Sequence, residues 1–194
     1  MILLVGNKGN MARRYSAILD YLKVQYTGID QGDEIPPGEF DSIIICTPTE
    51  DHYQRIMYFK DWDCPILCEK PIVKDKAQLK NLLSMDTTLA MVNQYKHMKL
   101  ESTAGQTYYD YWNSGKDGPE WDCINIIGLA FETPSIMNYS PIWKCSINDN
   151  KLSIRNMDYA YIKMIEQWVK RPTGNKTYIE KAHKRVFDGR YFLD

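Results

Sequence analysis

Between Val5 and Arg13 the sequence reads GNKGNMA, where the apolar run MILLV breaks into glycines before a stretch with helical spacing. A strand, a glycine turn and a helix start suit one kind of chemistry: backbone amides at the helix N-terminus face a phosphate, helped by the positive end of the helix dipole. In a GxGxxG dinucleotide turn, the first Gly bends the chain, the second admits the pyrophosphate and the third lets the helix pack closely. Those three places fall here on Asn7, Gly9 and Ala12, with Gly6 one position ahead. Asn accepts left-handed backbone better than other non-glycine residues, so Asn7 is expected to hold the turn. Ala12 is small enough for the packing role, and the amides of Asn10, Met11 and Ala12 then face the pyrophosphate. Asp30, 21 residues past Gly9, ends the next strand-like run VQYTGID, where a carboxylate meets the adenosine ribose hydroxyls. That carboxylate favours NAD over NADP by repelling a 2′-phosphate, a preference that Arg13 and Arg14 soften. The plain alternative is a glycine turn that only joins strand to helix; the order of strand, turn, helix and terminal acid argues for binding.

Other residue types narrow the chemistry. The five cysteines, Cys46, Cys64, Cys68, Cys123 and Cys145, form no CxxC pair, and their odd count reads as reduced, mostly buried thiols. Cys64 and Cys68 lack a partner pair, so no metal site is expected. Of the three histidines, His52 opens a helix, His97 follows a strand, and His183 stands beside Lys181, Lys184 and Arg185, which predicts an exposed side chain. Tyr108, Tyr109, Tyr111 and Trp112 could line a sugar or ring-shaped ligand, although such clusters are more often core.

The elements that must position these residues alternate. After MILLV come the helical NMARRYSAILDYL, the strand VQYTGID, the loop QGDEIPPGEF and the β-branched strand SIIICTP. TEDHYQRIMYF restarts a helix with Thr49 as its expected cap; CPILCEKP, KDKAQLKNLLS and TLAMVNQY read as strand, helix and strand. This alternation predicts an α/β fold, a doubly wound parallel sheet of Rossmann type over residues 1–95. Over 96–194 the texture changes to a small, reduced α+β domain. WKCSI and KLSIR flank NDN as a hairpin, and MDYAYIKMIEQWV and TYIEKAHKRVF read as helices.

The composition, 44% hydrophobic and 25% charged with a net charge of −1, is that of a globular protein and lacks the basic field of a nucleic-acid binder. MILLV is too short for a signal peptide and no run reaches the roughly 18 apolar residues of a membrane span. A cytoplasmic protein with no nucleic-acid or membrane partner is expected.

SIIICTPTEDHYQRIMYF and CPILCEKPIVKD, together with GNKGNMARRY and LAMVNQYKH, resemble the Gfo/Idh/MocA oxidoreductase family over roughly the first 98 residues. The family's strand ending in a TP step, its His a few residues on and its strand running into EKP correspond here to Thr47, Pro48, His52, Glu69, Lys70 and Pro71. The resemblance implies a shortened member that binds NAD more readily than NADP. Lys70 would stand beside the nicotinamide and the reacting hydroxyl, with Glu69 shaping the turn. Thr47 and Pro48 would border the cofactor, His52 would cap or pack beside them, and Asn93 would close the nicotinamide end. An ammonium suits a developing alkoxide, although a lone lysine is most often solvated surface. The resemblance further implies an oxidoreductase acting on CH–OH groups of a sugar, polyol or related small molecule.

Family enzymes add a second-domain Asp followed four residues later by a His that moves the hydroxyl proton. Asp122 matches the Asp, but position 126 is Ile126. His97, Tyr95, Lys96 and Asp122 are the replacement candidates; each has an alternative role as domain-junction cover or helix cap. The rival function is a dinucleotide-binding protein without turnover, acting as a sensor, sequestering protein or partner subunit. Substrate and oligomeric state are not readable from the sequence.

Overall fold

The computed structural model describes residues 1–97, 101–102, 108–110, 137–140, 144–147, 150–151 and 156–187. Chain contacts divide it into two compact units, 1–92 with 165–180, and 93–164 with 181–194.

The first unit is built on a parallel five-stranded sheet with strand order β2-β1-β3-β4-β5: β1 Ile2–Val5, β2 Tyr26–Ile29, β3 Ser42–Ile45, β4 Ile66–Cys68 and β5 Leu89–Met91. β1 pairs with both β2 and β3, Val5 lying opposite Ile29 on one side and Ile45 on the other. The helices are α1 Asn10–Tyr21, α2 Thr49–Phe59 and α3 Lys76–Ser84. Right-handed crossovers in this strand order place α1 on one face and α2 and α3 on the other. The β2-to-β3 connection contains no helix. Every residue of β1, β3, β4 and β5 is buried, which their β-branched and leucine-rich runs require. Edge strand β2 is half-buried up to Ile29.

α2 departs from one expectation. Thr49 is its first helical residue rather than its cap; Pro48 occupies the cap and makes no side-chain bond, while Glu50 and Asp51 complement the helix dipole. Asp75 caps α3 by accepting from the Gln78 amide at 2.8 Å.

The end of α4 (Asn156–Lys170), from Ile165, and the segment after it return to this unit. Trp168 donates to Ser42 Oγ at 3.2 Å. Asn175 then lies along β5: its amide bonds Leu89 O at 3.1 Å, its Oδ1 accepts from the Met91 amide at 2.9 Å, and its Nδ2 donates to Met91 O at 2.8 Å. These bonds satisfy backbone groups that an edge strand otherwise leaves open.

In the second unit, β6 Glu101–Ser102, β7 Tyr108–Asp110, β8 Met137–Ser140, β9 Lys144–Ile147 and β10 Asn150–Lys151 form an antiparallel sheet. β9 and β10 pair antiparallel, as WKCSI and KLSIR predict, with Asn150 opposite Ile147. α5 spans Lys176–Phe187, with its residues up to Glu180 assigned to the first unit and the rest to the second. His183 is fully buried, contrary to its expected exposure, because the buried stripe Tyr178, Ile179, Ala182 and His183 leaves Lys181 and Lys184 on the open side. Basic neighbours in sequence are not neighbours on a helix face. Asp122, Cys123, Tyr111 and Trp112 lie outside the described residues.

Candidate dinucleotide site

The switch point of this strand order lies between β1 and β3, whose carboxyl ends carry the glycine turn and Thr47. Gly6, with φ +91°, takes the left-handed position. The expectation that Asn7 does so is corrected: the positive φ belongs to Gly6, where a side chain would also bring Cβ within 2.9 Å of the Thr47 amide nitrogen. Asn7 instead lays its side chain over Gly28, where a Cβ would fall 2.4 Å from Asn7 Nδ2. The amides of Gly6 and Asn7 both donate to Ile29 O, at 2.8 and 3.1 Å, which ties the turn to the end of β2.

Gly9 caps α1 without a side-chain bond. Asn10 Oδ1 accepts from Arg13 Nη2 at 3.2 Å. The N-terminus of α1 is thus left without a side-chain cap beside the glycines, the arrangement that receives an anion.

Asp30 is held by backbone. Its Oδ2 accepts from the Lys8 amide at 3.1 Å and its Oδ1 from the Gln31 amide at 2.7 Å, while its own amide donates to Asp33 Oδ2 at 2.7 Å. Each carboxylate oxygen retains lone-pair capacity for a further donor.

At the end of β3, Thr47 Oγ1 is buried with no hydrogen-bond partner among the described residues. Pro48 is exposed. His52, 1% exposed, places Nε2 2.9 Å from Thr47 O and Nδ1 2.8 Å from Pro71 O. Both partners are acceptors, so a neutral ring donates to one of them and a protonated ring to both. His52 therefore ties the turn after β3 to the turn after β4.

Glu69 is 8% exposed. Its Oε1 accepts from the Tyr15 hydroxyl and its Oε2 from the Lys70 amide at 3.2 Å. Lys70 is half-buried, and the Lys70–Pro71 peptide is cis. Cys46 lies beneath the glycine turn, its thiol donating to Val5 O at 3.2 Å. Burial, with the charges of Glu69 and Asp30 adding to it, pushes the Cys46 thiol up to about 12. Burial likewise raises Cys68 well above the ordinary thiol range. Both are neutral packing groups rather than nucleophiles.

Asn93, two residues past β5, is buried, and its Oδ1 has no partner among the described residues. His97 ends the 3-10 turn Gln94–His97 and is half-buried; the side chains of Tyr95 and Lys96 lie outside the described residues. A groove of about 620 Å³ opens at the opposite edge of the sheet, beside Asp63, Cys64, Pro65 and Thr88. Its lining contains no unpartnered buried polar atom, and among the described residues no His, Cys, Asp or Glu cluster could hold a metal.

Sequence reasoning counted Tyr15 only as a residue of the apolar helix face. Its signal was the hydroxyl itself, because a tyrosine on a buried stripe needs a polar partner.

No curated protein sequence matches the chain. Among solved structures it is similar to the WlbA (WbpB) dehydrogenase from Thermus thermophilus, determined with NAD and UDP-GlcNAcA, with a TM-score of 0.68 and 14% identity over 100% of this chain and 95% of that one. It is also similar to the UDP-N-acetylglucosamine 3-dehydrogenase GnnA from Acidithiobacillus ferrooxidans, with a TM-score of 0.65 and 12% identity over 97% and 96%. An oxidoreductase from Agrobacterium radiobacter, in complex with NAD+, L-tartaric acid and magnesium, gives a TM-score of 0.62 and 9% identity over 97% and 95%. At these identities the likeness speaks for the fold alone. The family model of the Gfo/Idh/MocA oxidoreductases, described as an oxidoreductase family with an NAD-binding Rossmann fold, matches residues 5–97. That segment, which carries the glycine turn, the TP step and the EKP turn on one edge of its sheet, is similar to the Gfo/Idh/MocA oxidoreductases.

Proposed function

We propose that the protein binds NAD at the β1–α1 turn and oxidises a CH–OH group of a sugar, polyol or related hydroxyl compound to the carbonyl, or reduces that carbonyl in the reverse direction. The observation that carries this reading is the gathering of an uncapped helix start, a ribose-type carboxylate and an unpartnered Thr47 hydroxyl at the switch point of the sheet. The residues present fit the cofactor. Gly6 and the amides of α1 would receive the pyrophosphate, Asp30 would accept from the adenosine ribose hydroxyls, and Thr47 and Pro48 would border the dinucleotide. Asp30 favours NAD over NADP, since a 2′-phosphate would bring negative charge against its carboxylate.

When bound, NAD supplies a hydride acceptor at the nicotinamide. The chain's own work is to hold the reacting oxygen and move its proton. Lys70, at the carboxyl end of β4, would donate a hydrogen bond to the substrate oxygen and stabilise charge developing there. We take His97 as the proton acceptor to test, with Tyr95 and Asp122 as the alternatives. UDP-GlcNAcA, present in the complex of one structural neighbour, makes nucleotide sugars a sensible part of a screen.

A second reading, binding without turnover, is favoured by Ile126 standing where the family's proton-transfer His is expected. The experiment that separates them is a screen of sugars, polyols and UDP-sugars with NAD, following absorbance of the reduced nicotinamide, in the wild type and in Lys70→Ala. Turnover reduced at least about a hundredfold in Lys70→Ala is expected, the scale of losing one oxyanion donor. Unchanged turnover would refute the role of Lys70. Tight NADH binding with no turnover on any substrate would favour the second reading.

A further inference from the structure

Tyr15 is fully buried on α1, the helix whose start would carry the pyrophosphate, yet its hydroxyl donates to Glu69 at the end of β4. Glu69 spends its other oxygen on the backbone amide of Lys70. From the opposite helix layer, His52 sets Nδ1 2.8 Å from Pro71 O and Nε2 2.9 Å from Thr47 O. The EKP turn is therefore held on both sides of Lys70, at Glu69 from α1 and at Pro71 from α2. A lysine has four side-chain torsions and about 2 kcal/mol of rotamer entropy, so fixing the backbone it grows from is the economical way to aim its ammonium.

We propose that Tyr15 and Glu69 are a positioning pair, which couples the dinucleotide-binding helix to Lys70 and sets the nicotinamide half of the site without touching the adenosine half. The inference rests on the proposed NAD site and on Lys70 facing the nicotinamide. Packing alone does not require it: a phenylalanine would fill the same ring volume, whereas the hydroxyl's placement on a buried carboxylate has a polar purpose. The carboxylate in turn distributes its two oxygens between one side-chain donor and the Lys70 peptide, so loss of the first donor frees it to turn away from the second.

The test uses the full chain and two probes. NADH reports the whole dinucleotide site by affinity and by the blue shift of its nicotinamide emission; ADP-ribose reports the adenosine and pyrophosphate half alone. In Tyr15→Phe we expect NADH affinity to fall about tenfold, roughly 1.4 kcal/mol, and the emission shift to shrink, with ADP-ribose affinity within about twofold of wild type. Glu69→Gln keeps the length of the side chain but sets an amide group where a carboxylate oxygen faced the Lys70 amide or the tyrosine; the same nicotinamide-specific loss is expected, so the proposal is testable even if Tyr15→Phe does not fold. In a Lys70→Met background, Tyr15→Phe should change NADH emission no further, because the pair acts through Lys70. The proposal is overturned if NADH affinity and emission are unchanged in both folded single variants. Equal losses for NADH and ADP-ribose would also overturn it, since that marks general disruption of the fold. Wild-type protein that binds neither probe would instead sink the dinucleotide reading.

Discussion

Asp30, Glu69 and His52 share a design: each is polar, each lies at the carboxyl edge of the sheet, and each has two partners within 3.2 Å, donors to the two carboxylates and backbone carbonyls facing the His52 ring. Thr47 contrasts with them, because its hydroxyl is buried and unpartnered among the described residues, a cost that a ligand can offset. The thiols nearby behave oppositely. With its folded pKa near 12 against an ordinary 9.0, Cys46 stays neutral when folded but ionises earlier when unfolded. The stability this contributes is fully present below pH 9 and is lost as pH rises toward 12. Unfolding free energies from urea titration should therefore fall between pH 9 and 11, by up to about 1.4 kcal/mol per pH unit for each such thiol. Mass spectrometry after brief iodoacetamide treatment at pH 8 should find Cys46 and Cys68 unmodified until denaturant is added. Rapid labelling of either in the folded protein would contradict the burial described.

At the scale of elements, the parallel strands and their helices were legible because each carries its own local signal. SIIIC is continuously apolar as a doubly covered strand must be, and the apolar residues of α1 recur at helical spacing. The exchange of roles between Gly6 and Asn7 was not legible, because both tolerate the left-handed region and the close approach of Thr47 decides between them. Nor was the clip on β5. Asn175 is separated from Met91 by 84 residues, and nothing in PTGN announces that its side chain will imitate a strand. Asn175→Ala leaves the Met91 N–H and C=O without that partner and should destabilise the protein by about 1–3 kcal/mol. Chemical denaturation measures it, and hydrogen exchange at Met91 should accelerate while exchange in β1 follows only the global change. An unaltered midpoint and an unaltered Met91 exchange rate would show that the clip contributes nothing.

Across the whole molecule, the sequence boundary near residue 95 divides the chain by texture, while contacts assign 165–180 to the same unit as the parallel sheet. Periodicity identified both C-terminal helices but could not say what they pack on, since a helical stripe names no partner. The candidate site divides the same way. Its dinucleotide half, from Gly6 to Lys70, lies within one unit and was largely readable from motif order. The proton-transfer group was not, because Ile126 breaks the family's pattern and the candidates Tyr95, His97 and Asp122 carry no motif of their own. The central claim, that the carboxyl edge of the sheet is a dinucleotide site selective for NAD, is tested most directly by titrating the folded full chain with NADH and NADPH and following nicotinamide fluorescence. The account predicts saturable, blue-shifted emission with NADH, at least about tenfold weaker binding of NADPH, and a loss of that preference in Asp30→Ala. Absence of saturable binding by either nucleotide would contradict it.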